Sequence, residues 1–135
     1  MKKKGRSKLD FSNTIHEALE ISVEQFQKDE VILTMPVGPK TRQPMGLLHG
    51  GASVVLAESA ASMGTLLNVN QEKEVPVGIE INANHLRAKK DGIVKAIATP
   101  IHKGRTTMVW DIKIVDENNE LISICRCTIA ILKKK

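Results

Sequence analysis

The stretch LHGGASVVLAESAASMGTLLN, residues 48–68, contains a single Asp, Glu, Lys or Arg, and it is Glu58. A carboxylate on a run of small and apolar residues is expensive to bury as an ion unless it is paired or used. Its chemical use would be to activate a water or to attack a carbonyl carbon. Ser62 follows one helical turn later on the same face, where it could hold a water against the acid. Ahead of the acid stand His49, Gly50 and Gly51, and further back Gln43. A helix that opens at Gly50 leaves its first backbone N–H groups unpaired at its positive end, which suits an oxyanion, and glycine lets a carbonyl approach closely. An acid and such donors together are the equipment of acyl transfer. Plainer readings stay open: the glycines and Ser62 also permit tight packing, and Glu58 also fits a strip of helix that reaches solvent.

The elements that must position these residues can be read along the chain. FSNTIHEAL predicts a short helix with Ser12 or Asn13 as its N-cap. LEISVEQF and VILTMPV are β-branched runs separated by the polar QKDE, the pattern of a hairpin, and GPKTRQPMG reads as a loop. From Leu48 to about Asn68, length and composition predict a helix, and the lack of a charged face predicts that protein surrounds it. VPVGIEINANHLR then alternates. Val77, Ile79, Ile81 and Ala83 fall on one face, continued by His85 and Arg87, and Gly78, Glu80, Asn82 and Asn84 on the other. GIVKAIATPIH, TTMVWDIKIV and ELISICRCTIAIL follow, joined by the turn sequences KKDG, KGR and DENN. The plan is α+β: two strands, one long helix, then four strands of a meander. An antiparallel sheet of about six strands would wrap the helix, because its apolar face has nothing else to cover it.

A chain of 135 residues with 41% hydrophobic content makes one domain, placed at residues 9–132 between basic tails at 1–8 and 133–135. Those tails carry much of the net charge of +5, and one Trp, two Phe and no Tyr leave few surfaces for base stacking, so no nucleic acid is expected. No membrane association is expected either. MKKKGRSK is followed by charges where a signal peptide needs an apolar run, and the long helix is too polar to span a bilayer. Cys125 and Cys127, two apart in a strand, share a face, cannot readily bridge, and predict core packing in a reduced, cytoplasmic setting. GLLHGG lacks the Lys and spacing of a P-loop, GASVV lacks the second Gly of a nucleophile elbow, and no histidine pair has metal spacing.

QPMGLLHGGASVVLAESAAS, GIEINANHLR, the pair Val109 and Trp110, and the order of elements resemble the hotdog-fold acyl-CoA thioesterases, specifically the phenylacetate-pathway and 4-hydroxybenzoyl-CoA type branch. The resemblance runs from about Leu19 to Leu132. It implies a hotdog fold and hydrolysis of an aryl or bulky acyl-CoA, with a 1,4-dihydroxy-2-naphthoyl thioester, a menaquinone precursor, as the named candidate. The residues matching Gln43 and His49 would orient the thioester and the water, Gly50 would supply the oxyanion N–H, and Glu58 would be base or nucleophile with Ser62 beside it. Coenzyme A, the only cofactor implied, is part of the substrate. Gly51, His85, Arg87, Lys103, Gly104 and Arg105, with Lys89 and Lys90 as weaker candidates, lie on segments that resemble the family's pantetheine and nucleotide groove. The family's dimers, often paired again into tetramers, imply self-association.

Helix geometry makes the same demand independently. Gly50 and Glu58 are eight residues apart, which is about 12 Å of rise and about 80° of rotation. A glutamate side chain cannot span that, so if both groups act on one carbonyl they come from different chains across a two-fold axis. Two rival functions use the same fold: an acyl-CoA-binding module without catalysis, and a hydratase or dehydratase acting on a carbon-bound proton and hydroxyl.

Overall fold

The computed structural model describes residues 9–135; the basic tail expected at 1–8 lies outside them. Helix α1, Ile15–Ala18, is capped by Thr14, whose extended backbone (φ −126°, ψ 169°) lets its side chain accept from the His16 N–H. Neither Ser12 nor Asn13 takes that role. Ser12 bonds Asp10, and Asn13 occupies the left-handed region at φ 61°. Strands β1 (Ser22–Gln27) and β2 (Glu30–Pro36) form the expected hairpin, with Gln27 opposite Glu30 and only Lys28 and Asp29 in the turn.

The long helix α2 spans Gly50–Leu66. Four strands follow: β3 (Glu74–His85), β4 (Ile93–Lys103), β5 (Thr107–Asp116) and β6 (Leu121–Lys133). All six strands form one antiparallel sheet in the order β1-β2-β4-β5-β6-β3. The meander is therefore three strands, not four. β2 occupies the side of β4 that a β3 hairpin would need, so β3 crosses to the far edge and pairs with β6 from Glu74↔Lys133 to His85↔Ser123. KKDG is part of that crossing rather than a hairpin turn. Its path is held by the Leu48 N–H on the Lys89 carbonyl (2.7 Å) and the Leu86 N–H on the Ile122 carbonyl (2.8 Å). Order also runs past residue 132. Lys133 pairs with Glu74, and the Lys134 N–H bonds the Lys73 carbonyl at 2.9 Å.

One face of the sheet is the core. Alternate residues of β2, β4, β5 and β6, among them Leu33, Met35, Ala96, Ala98, Trp110, Ile112, Cys127 and Ile129, are fully buried against Leu56, Ala57, Ala60 and Ala61 of α2. Cys125 and Cys127 are free, buried thiols in this core, as their spacing predicted. Alanines on helix and sheet let the two approach closely. Where the largest side chain must fit, the helix has Gly64: a Cβ there would run into the six-membered ring of Trp110. The indole is fixed by its Nε1–H on Thr65 Oγ1 (2.9 Å), and that hydroxyl donates onward to the Ala61 carbonyl (2.9 Å).

Gly64→Ala sets two effects against each other. Helix propensity favours alanine by about 1 kcal/mol, and overpacking a fixed core costs about 1–3 kcal/mol. Because Trp110 is fully buried and hydrogen-bonded, overpacking wins, and urea unfolding of the variant shows a lower midpoint than wild type. An unchanged or raised midpoint refutes this account of the core.

Candidate active site

The sheet does not enclose α2 all round. A strip of partly exposed residues, Val54, Val55, Glu58, Ser62 and Leu66, runs along it, and of these only Glu58 is charged. All of this strip but Val54 forms the floor of a cleft of about 420 Å³ whose walls are Ile15 and His16 of α1 on one side and Pro76 of β3 on the other. The reading of a helix wholly surrounded by protein fails for the single chain. The alternative that Glu58 reaches an open strip holds.

β3 makes the room that the acid needs. Gly78 pairs with Ile129 and Glu80 with Thr128, so Ile79 is an unpaired bulge. A bulge shifts the alternation by one residue. Val75, Val77 and Ile79 consequently face outward and are exposed, whereas Ile81 and Ala83 pack on the core, in contrast to the single apolar face expected from Val77 to Ala83. Before the bulge Pro76 and Gly78 face the helix, and a Cβ on Gly78 would overlap the Glu58 carboxylate. Below the acid, Cys127 has its thiol pushed up to about 12, by burial first and then by the charges of Glu58 and Glu80. The thiol is thus protonated and inert. Ser62 lines the same cleft.

A second cleft, about 270 Å³, lies at the N-terminal end of α2 and contains Gln43, Gly50, His85 and Arg87. His49 is the N-cap of α2, its Nδ1 accepting from the Gly51 N–H at 2.8 Å. That bond fixes His49 as the Nε2–H tautomer and removes the Gly51 N–H from the set available to a ligand. The Gly50 N–H, by contrast, makes no hydrogen bond among the described residues. Gln43 Oε1 accepts from the N–H groups of Met45 (2.6 Å) and Leu47 (3.3 Å), which orients its NH₂ as the free donor. The His85 ring lies against Gly50, where a Cβ would stand 2.7 Å from Nε2. Ser123 Oγ lies 3.1 Å from both the Asn84 carbonyl and His85 Nδ1. The hydroxyl proton goes to the carbonyl, which can only accept, so Nδ1–H donates to Ser123 and Nε2 faces Gly50.

The basic residues divide. Arg87 is exposed, with Glu120 at 3.7 Å. Lys89 is held at 2.5 Å by Glu117, whose carboxyl the lysine draws down to about 2, and it has no free role. Lys103 pairs with Asp29 at 2.5 Å, and with Gly104 and Arg105 it forms the β4–β5 turn beside the β1–β2 turn. There Asn68, just past the end of α2, bonds the Lys28 carbonyl. A helix of 17 residues, about 25 Å long, separates that end from His85 and Arg87. One chain brings Gln43, Gly50, His85 and Arg87 together, and Glu58 with Ser62; it does not join the two groups or add Lys103, Gly104 and Arg105 to either. Sequence reasoning missed Gly78, Ser123 and His16. A glycine interrupting an alternating strand was the available signal for the first; nothing local marks the other two.

Comparison with known proteins agrees with this architecture. Residues 45–123 match the Thioesterase superfamily family model. A 1,4-dihydroxy-2-naphthoyl-CoA hydrolase of Listeria monocytogenes is 46% identical over 121 residues, 90% of this chain and 98% of that protein. A hydrolase of the same name from Escherichia coli is 48% identical over 114 residues, 84% of this chain and 83% of that protein. A crystal structure of a mutant thioesterase from Pseudomonas aeruginosa superposes with a TM-score of 0.92 at 42% identity, covering 99% of this chain and 96% of the other. The chain belongs to the hotdog thioesterase superfamily. It is a thioester hydrolase.

Gly78→Ala tests whether the bulged strand sets the position of the acid. The clash is with the far end of a flexible side chain, so stability changes little while the carboxylate is displaced. A misplacement of about 1 Å costs up to about 10²-fold in rate. Thermal unfolding within a few degrees of wild type together with a tenfold or greater loss of thioesterase turnover is expected; full activity shows that Glu58 does not depend on Gly78.

Proposed function

We propose that the chain hydrolyses an aryl or otherwise bulky acyl-CoA to the acid and free CoA, with 1,4-dihydroxy-2-naphthoyl-CoA as the leading candidate, at a site completed by two subunits. The observation that carries this reading is the division of the machinery: Glu58 and Ser62 lie in one cleft, and the unpaired Gly50 N–H with Gln43 and His85 in another. Between them runs β3, whose outer edge pairs with no other strand among the described residues. An antiparallel pairing of β3 with its copy, centred on Asn82 and leaving the bulged Ile79 unpaired, would set Gly78 of one chain opposite His85 of the other. Because Gly78 lies against Glu58 and His85 against Gly50, that register would bring the acid of one subunit to the helix start of the next.

In the combined site the thioester carbonyl oxygen accepts from Gly50 of the partner subunit, at the positive end of its helix. Glu58 either takes a proton from a water that adds to the carbonyl carbon, or adds itself and is released by water. In both routes the tetrahedral intermediate collapses with cleavage of the C–S bond, CoA leaves as the thiol, and water supplies the oxygen and protons. The Gln43 NH₂ and the His49 Nε2–H are the further donors for the thioester. Water is the only co-reactant. Arg87 near the helix start, and Gly104 and Arg105 from the far turn, are available to the phosphates of CoA, and Lys103 joins them on leaving Asp29.

Glu58→Gln keeps the shape and removes the base. Its rate of thiol release falls by about 10² or more, while the circular dichroism spectrum and CoA affinity stay near wild type; activity within a few-fold of wild type removes Glu58 from the mechanism. The shared site has its own test. Glu58→Ala and Gly50→Val, each folded and nearly inactive, recover activity when mixed and allowed to exchange, up to about a quarter of wild type, because half of the dimers are mixed and each has one intact site. Subunit exchange verified by mass spectrometry with no recovery places the two residues in separate functions.

A further inference from the structure

One titratable side chain in the Glu58 cleft has no part in the chemistry above. His16, on α1, lines the cleft from the wall facing α2. Its ring stacks on Phe11, with centroids 4.7 Å apart and 19° between the planes, so its orientation is set. The His16 backbone N–H bonds Thr14 Oγ1 at 3.2 Å, but among the described residues neither ring nitrogen has a partner. Burial lowers the pKa of the ring from 6.5, so at neutral pH it carries one N–H donor and one lone pair.

The rest of the cleft defines what such a ring would meet. Val55, Met63, Leu66 and Pro76 make most of it apolar, and its other polar side chains, Glu58, Ser59 and Ser62, all belong to α2. A ligand lying along the floor therefore meets the reacting groups beneath it and one hydrogen-bonding group on the α1 wall. A wholly apolar acyl chain that covered His16 would strip water from both ring nitrogens and replace it with nothing, which is costly. A negatively charged substituent would be repelled by Glu58. A neutral hydroxyl on a flat ring satisfies every term: it partners the imidazole, and the ring covers the apolar walls.

We propose that His16 is a specificity-determining residue that reads the acyl group, hydrogen-bonding a hydroxyl on an aromatic acyl ring bound in the Glu58 cleft. The inference rests on the reading of this cleft as the acyl end of an acyl-CoA site. It assigns the discrimination among acyl groups to α1, an element outside the catalytic helix.

The test compares kcat/KM for benzoyl-CoA and 2-naphthoyl-CoA with each of their monohydroxylated isomers, in wild type and in His16→Phe, which keeps the stack on Phe11 and removes both nitrogens. Wild type favours at least one hydroxylated isomer over its parent by about tenfold or more, the size of one hydrogen bond in a partly buried site. His16→Phe brings that ratio to within about twofold while the parent compounds react as fast or faster, and His16→Asn restores part of it. A ratio unchanged in His16→Phe, or an equal loss on all substrates, overturns the proposal, since a structural role moves every rate together. Calorimetric binding of the same pairs to Glu58→Gln separates this inference from the catalytic one. Discrimination in binding with no turnover by wild type leaves His16 in place and removes acyl-CoA hydrolysis; turnover without discrimination removes His16 alone.

Discussion

A helix is rigid, and α2 carries on one rod both the free N–H at Gly50 and the carboxylate at Glu58. Their separation of eight residues, about 12 Å and about 80°, is fixed by backbone hydrogen bonds and cannot be closed by side-chain motion. Other features of the fold follow this constraint. The sheet wraps the helix but leaves one strip open, the open strip carries the acid, and the strand beside it bulges to leave space for that acid. That bulged strand also lies at one edge of the sheet. A site built on this helix is a pair of half-sites, and the proposed self-pairing of β3 makes them whole.

Holding that rod in place is the task of small residues. The alanines of α2, with Ala96 and Ala98 of β4, allow helix and sheet to approach until Trp110 fills the remaining volume beside Gly64. The relay from Trp110 through Thr65 to the Ala61 carbonyl pairs both buried groups, and among the described residues no buried side-chain N or O lacks a partner, which matters because an unpaired donor in the core would cost about 1–3 kcal/mol. His49 does the same at the helix start. By taking the Gly51 N–H it anchors the first turn and leaves Gly50 as the free donor. Capping and the proposed oxyanion binding thereby fall to neighbouring residues.

The sequence revealed what depends on composition and short-range periodicity. The hairpin, the long helix with its single acid, the placement of both cysteines in the core and the set of strands were legible, because each is written in residues that neighbour one another. Three things were not. The crossing of β3 to β6 depends on β2 already occupying β4, a fact about distant segments. The bulge at Ile79 reverses half of an alternation that looked regular, and only Gly78 hinted at it. The open strip along α2 was misread because Val54, Val55 and Leu66 are apolar; an apolar residue facing a substrate or subunit interface has the same composition as one facing the core.

That last ambiguity bears on how such a site is kept. An acid in the middle of the core would have to be neutralised or paired, and one on the surface would be screened by water. Glu58 lies between these, partly exposed on an apolar strip beside a glycine that gives its carboxylate room. In that position the isolated chain keeps the carboxylate hydrated. Assembly and substrate binding would strip that water at the moment the charge is needed, when the dipole at the Gly50 end of the partner's helix arrives to act on the same carbonyl. In the proposed assembly the cost of desolvating the acid would be deferred from folding to binding, where the area of the acyl group would offset it. This is why a helix made for burial can keep one acid without losing the fold.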